Sequence, residues 1–425
     1  MLEARTPMKV SEAVEKVLQI EAVHNKTETV PLQEAGGRIL AEAVIADAPV
    51  PPFNRSPLDG FAVRSADTKG AGRDTPVTLQ VIETVGAGHV AEKVPQPGEA
   101  IRVMTGTIMP KETDAIVMFE LTKEAEDGSA ITITREFNSW DNVVIKGEEM
   151  EKGTVVLEAG ERLHAGGIAA LATFGYDQVQ VTAKPVIGVF ATGTELLEPG
   201  DPLEPGKIRN SNAPMVVEQL REAGAAPVYY GQLPDDFDLC YSRVQNVLGD
   251  VDALITTGGV SVGDFDFLPA IYEKLGAEVL FNKVAMRPGS VTTVAQWNGK
   301  PLFGLSGNPS ACFVGFELFT GPWLRHSMGD KKPYLQQSKA LLGSDFPKPN
   351  PFTRFVRGHI TFQDGRLIAT PAGLDKSQVV TSLSRANALI VLPGGTRGFQ
   401  TGDQVAVLLL RGEGEAYFEE PVKDR

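Results

Sequence analysis

Cysteine is almost missing from this chain: Cys240 and Cys312 are the only two in 425 residues. Two are too few for a disulfide framework, and the count fits a reducing compartment. Histidine is scarce as well, five residues with no clustered Cys/His spacing, which excludes the usual zinc site. Any bound metal is expected to be Mg²⁺ held by Asp and Glu oxygens. Positive charge is in short supply: 40 Lys and Arg face 54 Asp and Glu, a net −14. That balance argues against non-specific nucleic-acid or membrane-surface binding, although a local basic pocket remains compatible with it. No apolar run reaches the roughly 18 residues of a membrane span. The opening MLEARTPMKVSEAVEKVLQ carries acids early and has no long apolar core, so it does not read as a secretory signal. The expected location is the cytoplasm.

What is present is the material for real cores: 42% hydrophobic and 22% charged residues over a length that suggests about three domains. Val10, Ala13, Val14, Val17 and Leu18 recur at helical spacing, with Ser11 as a candidate cap. A proline-rich break, APVPPFNRSPLDG, follows. Residues 75 to 140 read as β, since VTLQVIETV and AITIT alternate with period two between Gly, Pro and acidic turns. LHAGGIAALATFG reads as a helix ending at Gly175. A strand–helix rhythm then begins, with strands PVIGVFATG, APVYYGQL, DALITTGG and PLFGLSG. Helices are expected near 213–223, 237–248 and 267–275, the first opening at Asn212 and Pro214 and stopping at Gly224. This alternation implies a doubly wound parallel sheet. Beyond KKPY the pattern turns to β again, with a hairpin turn at Asp364-Gly365 and further strands in ALIVLPGGTRGFQTGDQVAVLLL.

The candidate chemistry lies at the ends of the strands. TTGGVSVGDFDF follows the apolar run DALI: Gly258 and Gly259 permit backbone angles closed to other residues, and Asp264 and Asp266 follow. Carboxylates in such a loop repel phosphate unless a divalent cation lies between, so the stretch suggests a phosphate held with a metal; a plain turn with two solvated aspartates is the competing reading. FATGTELLEPG brings Thr192, Gly193, Thr194 and Glu195 to a second strand end, and LPDDFD brings Asp235 to Asp238 to a third. GLSGNPSA offers backbone N–H groups from Ser306 to Asn308 at a helix start, a natural anion cradle or simply good helix-start chemistry. Convergence of strand-end loops on one sheet edge is what a ligand site in this fold class requires. KVAMRPGSVTT places Lys283 and Arg287 on a loop near the same sheet, either as anion-binding cations or as solvated charges. Asp59, Thr105-Gly106, Glu148 and Glu149 fall in turns and read equally as structural punctuation.

Taken in order, PLDGFAV, MTGTIMP, DAIVMFE, KGEEM, TGTELLEPG, GKIRNSNAPM, TTGGVSVGDFD, MRPG and GLSGNPSA resemble the motifs of the molybdopterin molybdenumtransferases, the MoeA type, similar to the E domain of gephyrin. SQVVTSLSRANALIVLP extends the resemblance into the C-terminal β region. It implies a multidomain α/β plus β chain. Its central domain would be a doubly wound, mostly parallel α/β sheet of the molybdopterin-binding type at 183–328. An N-terminal helical and extended segment would span 1–50 with 141–182, an inserted small β domain 51–140, and a C-terminal β-barrel-like domain 332–425. It implies insertion of molybdate into the dithiolene of adenylylated molybdopterin, with Mg²⁺-assisted release of AMP. Glu195, Asp235 and Asp266 match the family's acidic residues and would be the metal ligands; Asp59 and Thr105 match its inserted-domain pair, and all five would be catalytic. The expected substrate-binding set is Thr192, Gly193, Ser211, Asn212, Gly258, Gly259, Ser261, Gly263, Lys283, Arg287, Ser306, Gly307, Asn308, Ser310, Arg357 and Ser382.

The family pattern further implies an elongated homodimer, its cleft lying between one subunit's sheet domain and the other's inserted domain, and contact with the molybdopterin adenylyltransferase. The chain departs from that pattern at RPGSVT, where Arg287 and Ser290 stand for two lysines of the commonest motif, keeping one charge and losing another. The alternatives weighed are the adenylyltransferase itself, which shares the sheet and the TTGG loop, and a non-catalytic molybdopterin-binding scaffold. The extra β regions disfavour the first, and retention of all five polar residues disfavours the second. A nicotinamide oxidoreductase is excluded, because no Gly-x-Gly-x-x-Gly opens a helix after the first strand.

Overall fold

The computed structural model describes residues 6–20, 26–259 and 267–410. The chain divides into two compact units: Met1–Ala41, Gly160–His164 and Gln178–Arg425 form one, and Glu42–Ala159 with Ala165–Asp177 the other.

The second unit is built on a six-stranded sheet, in the order Ala115–Met118, Gly60–Val63, Glu99–Val103, Val77–Val85, Ala130–Ile133, Thr122–Glu124. The period-two stretches VTLQVIETV and AITIT pair antiparallel, with Leu79 opposite Ile131. Alternation fills both faces: Phe61 and Val63 join Leu79, Val117, Ile131 and Phe137 in one core, whereas Ala62 joins Val85, Ile101 and Ile116 in another. A two-stranded ribbon, Val44–Ile45 with Val155–Leu157, and the helix Ala165–Thr173 complete the unit. Gly175 follows the helix at φ 78°, the left-handed stop expected of it.

In the first unit, Ala13 and Val17 bury the apolar stripe of a helix over Val10–Leu18. The expectation that Ser11 caps this helix is corrected. The cap position is Lys9, without a side-chain cap bond, and Ser11 lies exposed inside the first turn. The apolar stripe decides the register: Val10 packs on the same core as Ala13 and Val17, so the helix starts two residues earlier than a cap at Ser11 would allow.

The central sheet comprises β1 (Val186–Thr192), β2 (Ala226–Leu233), β3 (Ala253–Thr257), β4 (Glu278–Phe281), β5 (Thr293–Trp297) and β6 (Lys300–Leu305), in the order β2-β1-β3-β6-β5-β4. β2, β1, β3 and β6 are parallel; β5 runs antiparallel to β6, and β4 to β5. Helices α1 (Asn212–Ala223) and α2 (Phe237–Val247) link β1 to β2 and β2 to β3, α3 (Leu268–Leu275) leads from β3 to β4, and α4 (Pro309–Gly315) follows β6. Both faces are covered, as parallel sheets require: Ile187, Val189 and Ile255 pack with Val216 and Leu220 of α1, while Phe190 and Leu254 pack with Val244 and Ile271.

The C-terminal strands are β7 (Gln337–Leu342), β8 (Thr353–Gln363), β9 (Arg366–Pro371), β10 (Ala388–Leu392) and β11 (Gln404–Leu409). Pairing in the ring β8-β9-β7-β11-β10, with β10 returning to β8, closes a five-stranded barrel. At the β8–β9 turn Asp364 and Gly365 both have positive φ, 47° and 74°, the hairpin geometry that Asp-Gly favours. The short strand Met286–Arg287 pairs parallel with Thr353 and Arg354 of β8. Among the described residues, no helix is long and apolar enough to cross a membrane.

Candidate active site

The order β2-β1-β3 reverses direction at β1, and the carboxyl edge beside such a reversal is where doubly wound sheets bind ligands. A cavity of about 740 Å³ lies there. Four strand ends supply its walls: Thr192 to Glu195 after β1, Leu233 to Asp235 after β2, Gly258 and Gly259 after β3, and Ser306 to Asn308 after β6. Phe267, Leu268 and Ile271 of the α3 end, with Ile208 and Val291, add an apolar side.

The paired glycines are required by the neighbouring loop. A Cβ on Gly258, at φ 99°, would stand 2.5 Å from Thr192 Oγ1 and 3.0 Å from Thr192 O. One on Gly259, at φ 69°, would stand 3.1 Å from the same hydroxyl. The β1 and β3 loops thus touch, and the Thr192 hydroxyl donates to Thr257 O at 3.2 Å across the seam. The Gly258 N–H donates to Leu305 O at 2.8 Å, tying in the end of β6. Asn212 at the start of α1 donates from Nδ2 to Gly307 O at 2.8 Å, whereas its buried Oδ1 has no hydrogen-bond partner. Ser211 precedes α1 without making a side-chain cap bond.

Among the described residues, Glu195 and Asp235 are the acids on the cavity wall. The adjacent Asp236 is occupied otherwise: its carboxylate accepts from Leu239 N at 2.9 Å and caps α2. Among the described residues, no three His, Cys, Asp or Glu side chains group closely enough to form a metal centre by themselves. Asp266, expected as the third acid, lies outside the described residues together with Ser261, Gly263 and Asp264. Cys240 lies on the same wall, where burial pushes its thiol up, and its Sγ–H donates to Pro234 O at 2.8 Å.

A second cavity of about 440 Å³ shares Val291, Ser306 and Asn308 with the first. Among the described residues, Arg287, Arg354 and Lys376 line it against a single carboxylate, Asp375, with Ser290, Ser377 and Gln378. Lys283 lies on neither lining. Ser310 turns towards the 375–380 loop: its N–H donates to Ser377 O at 3.0 Å and its hydroxyl to Val379 O at 2.6 Å. Arg357 and Ser382 are buried together behind that loop, Arg357 Nε donating to Ser382 Oγ at 3.2 Å and Nη1 to Asp375 at 3.0 Å. They brace the cavity wall from behind.

Asp59 and Thr105 meet in the second unit. The Thr105 N–H and hydroxyl both donate to Asp59 Oδ1, at 2.7 and 2.8 Å, and these bonds hold the Asp59 carboxyl below its ordinary range. In the first unit the motif loops after β1, β2, β3 and β6 do converge. Reasoning from sequence missed Phe267, Leu268, Ile271 and Val291 in the first cavity, and Arg354 and 375–378 in the second. Only the polar run DKSQ, lying between barrel strands, signalled the latter.

Residues 8–175 match the family described as MoeA N-terminal region (domain I and II). Residues 188–326 match the probable molybdopterin binding domain, and 339–410 the MoeA C-terminal region (domain IV). The chain is 56% identical to a molybdopterin molybdenumtransferase of Bacillus subtilis (strain 168), over 97% of this chain and 96% of that protein. It is 48% identical to a protein of the same name from Staphylococcus epidermidis, over 96% of this chain and 97% of that one. Among solved structures, the molybdopterin biosynthesis moeA protein from Pyrococcus horikoshii OT3 superposes with a TM-score of 0.82 at 31% identity, covering 95% of this chain and all of that one. This chain belongs to the molybdopterin molybdenumtransferase (MoeA) family.

Proposed function

We propose that the protein is an enzyme of molybdenum cofactor biosynthesis, a molybdopterin molybdenumtransferase. It inserts molybdate into the dithiolene of adenylylated molybdopterin and releases AMP. The observation that carries this reading is the meeting of Glu195 and Asp235 on one cavity at the sheet's switch point, in a chain of this family. Hard carboxylate oxygens in a set of two suit Mg²⁺, which commonly takes one or two carboxylates and completes its shell with water and substrate phosphate. Glu195 and Asp235 would hold it, with Asp266 as the third candidate. When bound, the ion would neutralise charge on the phosphoanhydride.

The chain's own residues do the rest. Thr192 and the glycine loops keep the walls close to the phosphates, and the apolar side at Phe267, Leu268 and Ile271 excludes water. Arg287 and Lys376 in the second cavity favour a small oxyanion such as molybdate, three cations there facing one carboxylate. Thr192, Gly193, Asn212, Gly258, Gly259 and the Ser306–Asn308 turn are the proposed substrate contacts.

The proposal extends to a homodimer in which Asp59 and Thr105 of one subunit serve the cavity of the other, to contact with the adenylyltransferase that supplies the substrate, and to action in the cytoplasm. The fourfold domain division at 1–50 with 141–182, 51–140, 183–328 and 332–425 belongs to the same reading. AMP release from adenylylated molybdopterin, with and without molybdate and Mg²⁺, tests it. Molybdate-dependent release is the expected result. Release indifferent to molybdate would reduce the activity to hydrolysis, and tight binding without release would leave a scaffold. Mixing Asp59→Asn with Asp235→Asn subunits tests the dimer, since recovered activity requires residues from two chains.

A further inference from the structure

β2 is irregular at the place where it passes the candidate site. Val189 of β1 pairs with Tyr229 and Ala191 with Gln232, so Phe190 stands opposite two residues, Tyr230 and Gly231. Gly231 takes φ 81° in this bulge. Arg243 of α2 holds it, donating to Tyr230 O at 2.8 Å and Gln232 O at 2.7 Å while its guanidinium covers the Phe190 ring at 5.3 Å. Side chains alternate along a regular strand, so residues three apart face opposite ways. The extra residue cancels that alternation and brings Tyr229 and Gln232 to one face, the one on which α1 packs.

Both side chains then grip the 193–210 loop that carries Glu195. Gln232 Nε2 donates to Gly193 O. The Tyr229 hydroxyl donates to Glu198 Oε1 at 2.7 Å and accepts from Asn210 Nδ2 at 2.9 Å, while Asn210 Oδ1 accepts from Ala213 N at the start of α1. Within the loop, Ile208 N donates to Glu195 O at 2.9 Å. Burial and the Glu198 carboxylate push the Tyr229 phenol far up, so it remains a donor at any working pH.

We infer that the β2 bulge is a device for placing Glu195, with Tyr229 and Gln232 as positioning residues that act through the 193–210 loop. The inference rests on the reading of Glu195 as a Mg²⁺ ligand. Neither residue is on the cavity lining.

Mg²⁺ is titrated calorimetrically into the full-length protein in the presence of AMP, for wild type, Tyr229→Phe, Gln232→Met, Glu195→Gln and each pairing of the first two with the third. Tyr229→Phe and Gln232→Met should each weaken Mg²⁺ binding about three- to ten-fold, the factor one hydrogen bond is worth. They should change nothing further in the Glu195→Gln background. Glu198→Gln, which still accepts from Tyr229, should bind as wild type does. Unchanged binding in Tyr229→Phe and Gln232→Met beside weakened binding in Glu195→Gln would overturn the positioning alone. The same loss with and without Glu195 would overturn it too, because the bulge would then act elsewhere. Unchanged binding in Glu195→Gln would overturn the metal reading and the inference with it.

Discussion

Replacing Asp375 with asparagine would leave the Arg357 guanidinium buried without its counter-charge. The Arg357 side chain is 1% exposed and that of Asp375 6%, with 3.0 Å between Nη1 and Oδ1. Arg354, 11% exposed, holds the other carboxylate oxygen at 2.7 Å. Removing one partner of a buried pair costs about 3–5 kcal/mol, since the survivor keeps its desolvation penalty. Asparagine retains one acceptor oxygen, and Arg357 keeps Ser382 Oγ, Leu374 O and Lys376 O. The lower end, about 3 kcal/mol, is therefore expected. Arg357→Met added to Asp375→Asn should recover part of the loss, giving a coupling of about 2 kcal/mol. Urea unfolding followed by amide exchange in β8 and β10 reads both quantities in the barrel itself. A single variant within about 0.5 kcal/mol of wild type, or strictly additive variants, would refute the electrostatic account of this loop.

Gly258→Ala should destabilise by about 2–3 kcal/mol, combining a left-handed alanine with displacement of Thr192 from its bond to Thr257; a wild-type urea midpoint would contradict it. Glu195→Gln and Asp235→Asn should each lower AMP release about a hundredfold at unchanged stability, by analogy with the loss of one charge-stabilising group. Thr105→Val should let the Asp59 carboxyl rise towards its ordinary 3.8, followed by NMR titration of that side chain. Because the folded Asp59 lies below its ordinary value, its contribution to stability is present above the ordinary carboxylate range and disappears as pH falls through the folded value. The variant should flatten acid unfolding in that window, and an unshifted titration would sink the argument.

The parallel strands and their helices were legible because each strand is a continuous apolar run closed by small residues. The inserted sheet was legible because VTLQVIETV and AITIT keep period two. β4 and β5 escaped notice: EVLF is short and half-exposed, and the intervening KVAMRPGS reads as loop, so the antiparallel edge is invisible without its partners. The β2 bulge escaped too, since YYGQL looks like an ordinary strand until its pairing with β1 is known. The first cavity was foreseeable because each of its loops follows its own strand. The second draws Arg287, Ser306, Arg354 and Ser377 from separate places along the chain, and only closure of the barrel brings them together. Arg357 and Ser382 illustrate the limit from the other side: two polar residues that read as substrate-binding are bonded to each other, and Arg357 to Asp375, in the wall.

The parallel pairing of Met286–Arg287 with β8 also bears on how a ligand could enter the second cavity. Arg287 on one wall and Arg354 on the other are ladder partners, and Ser310 fastens the same walls through Ser377 and Val379. These bonds tie the barrel to the sheet at that point. Ligand capture there would not wait on closure of the two walls. Its association rate should follow ionic strength, as charge steering does, and be indifferent to agents that slow domain motion.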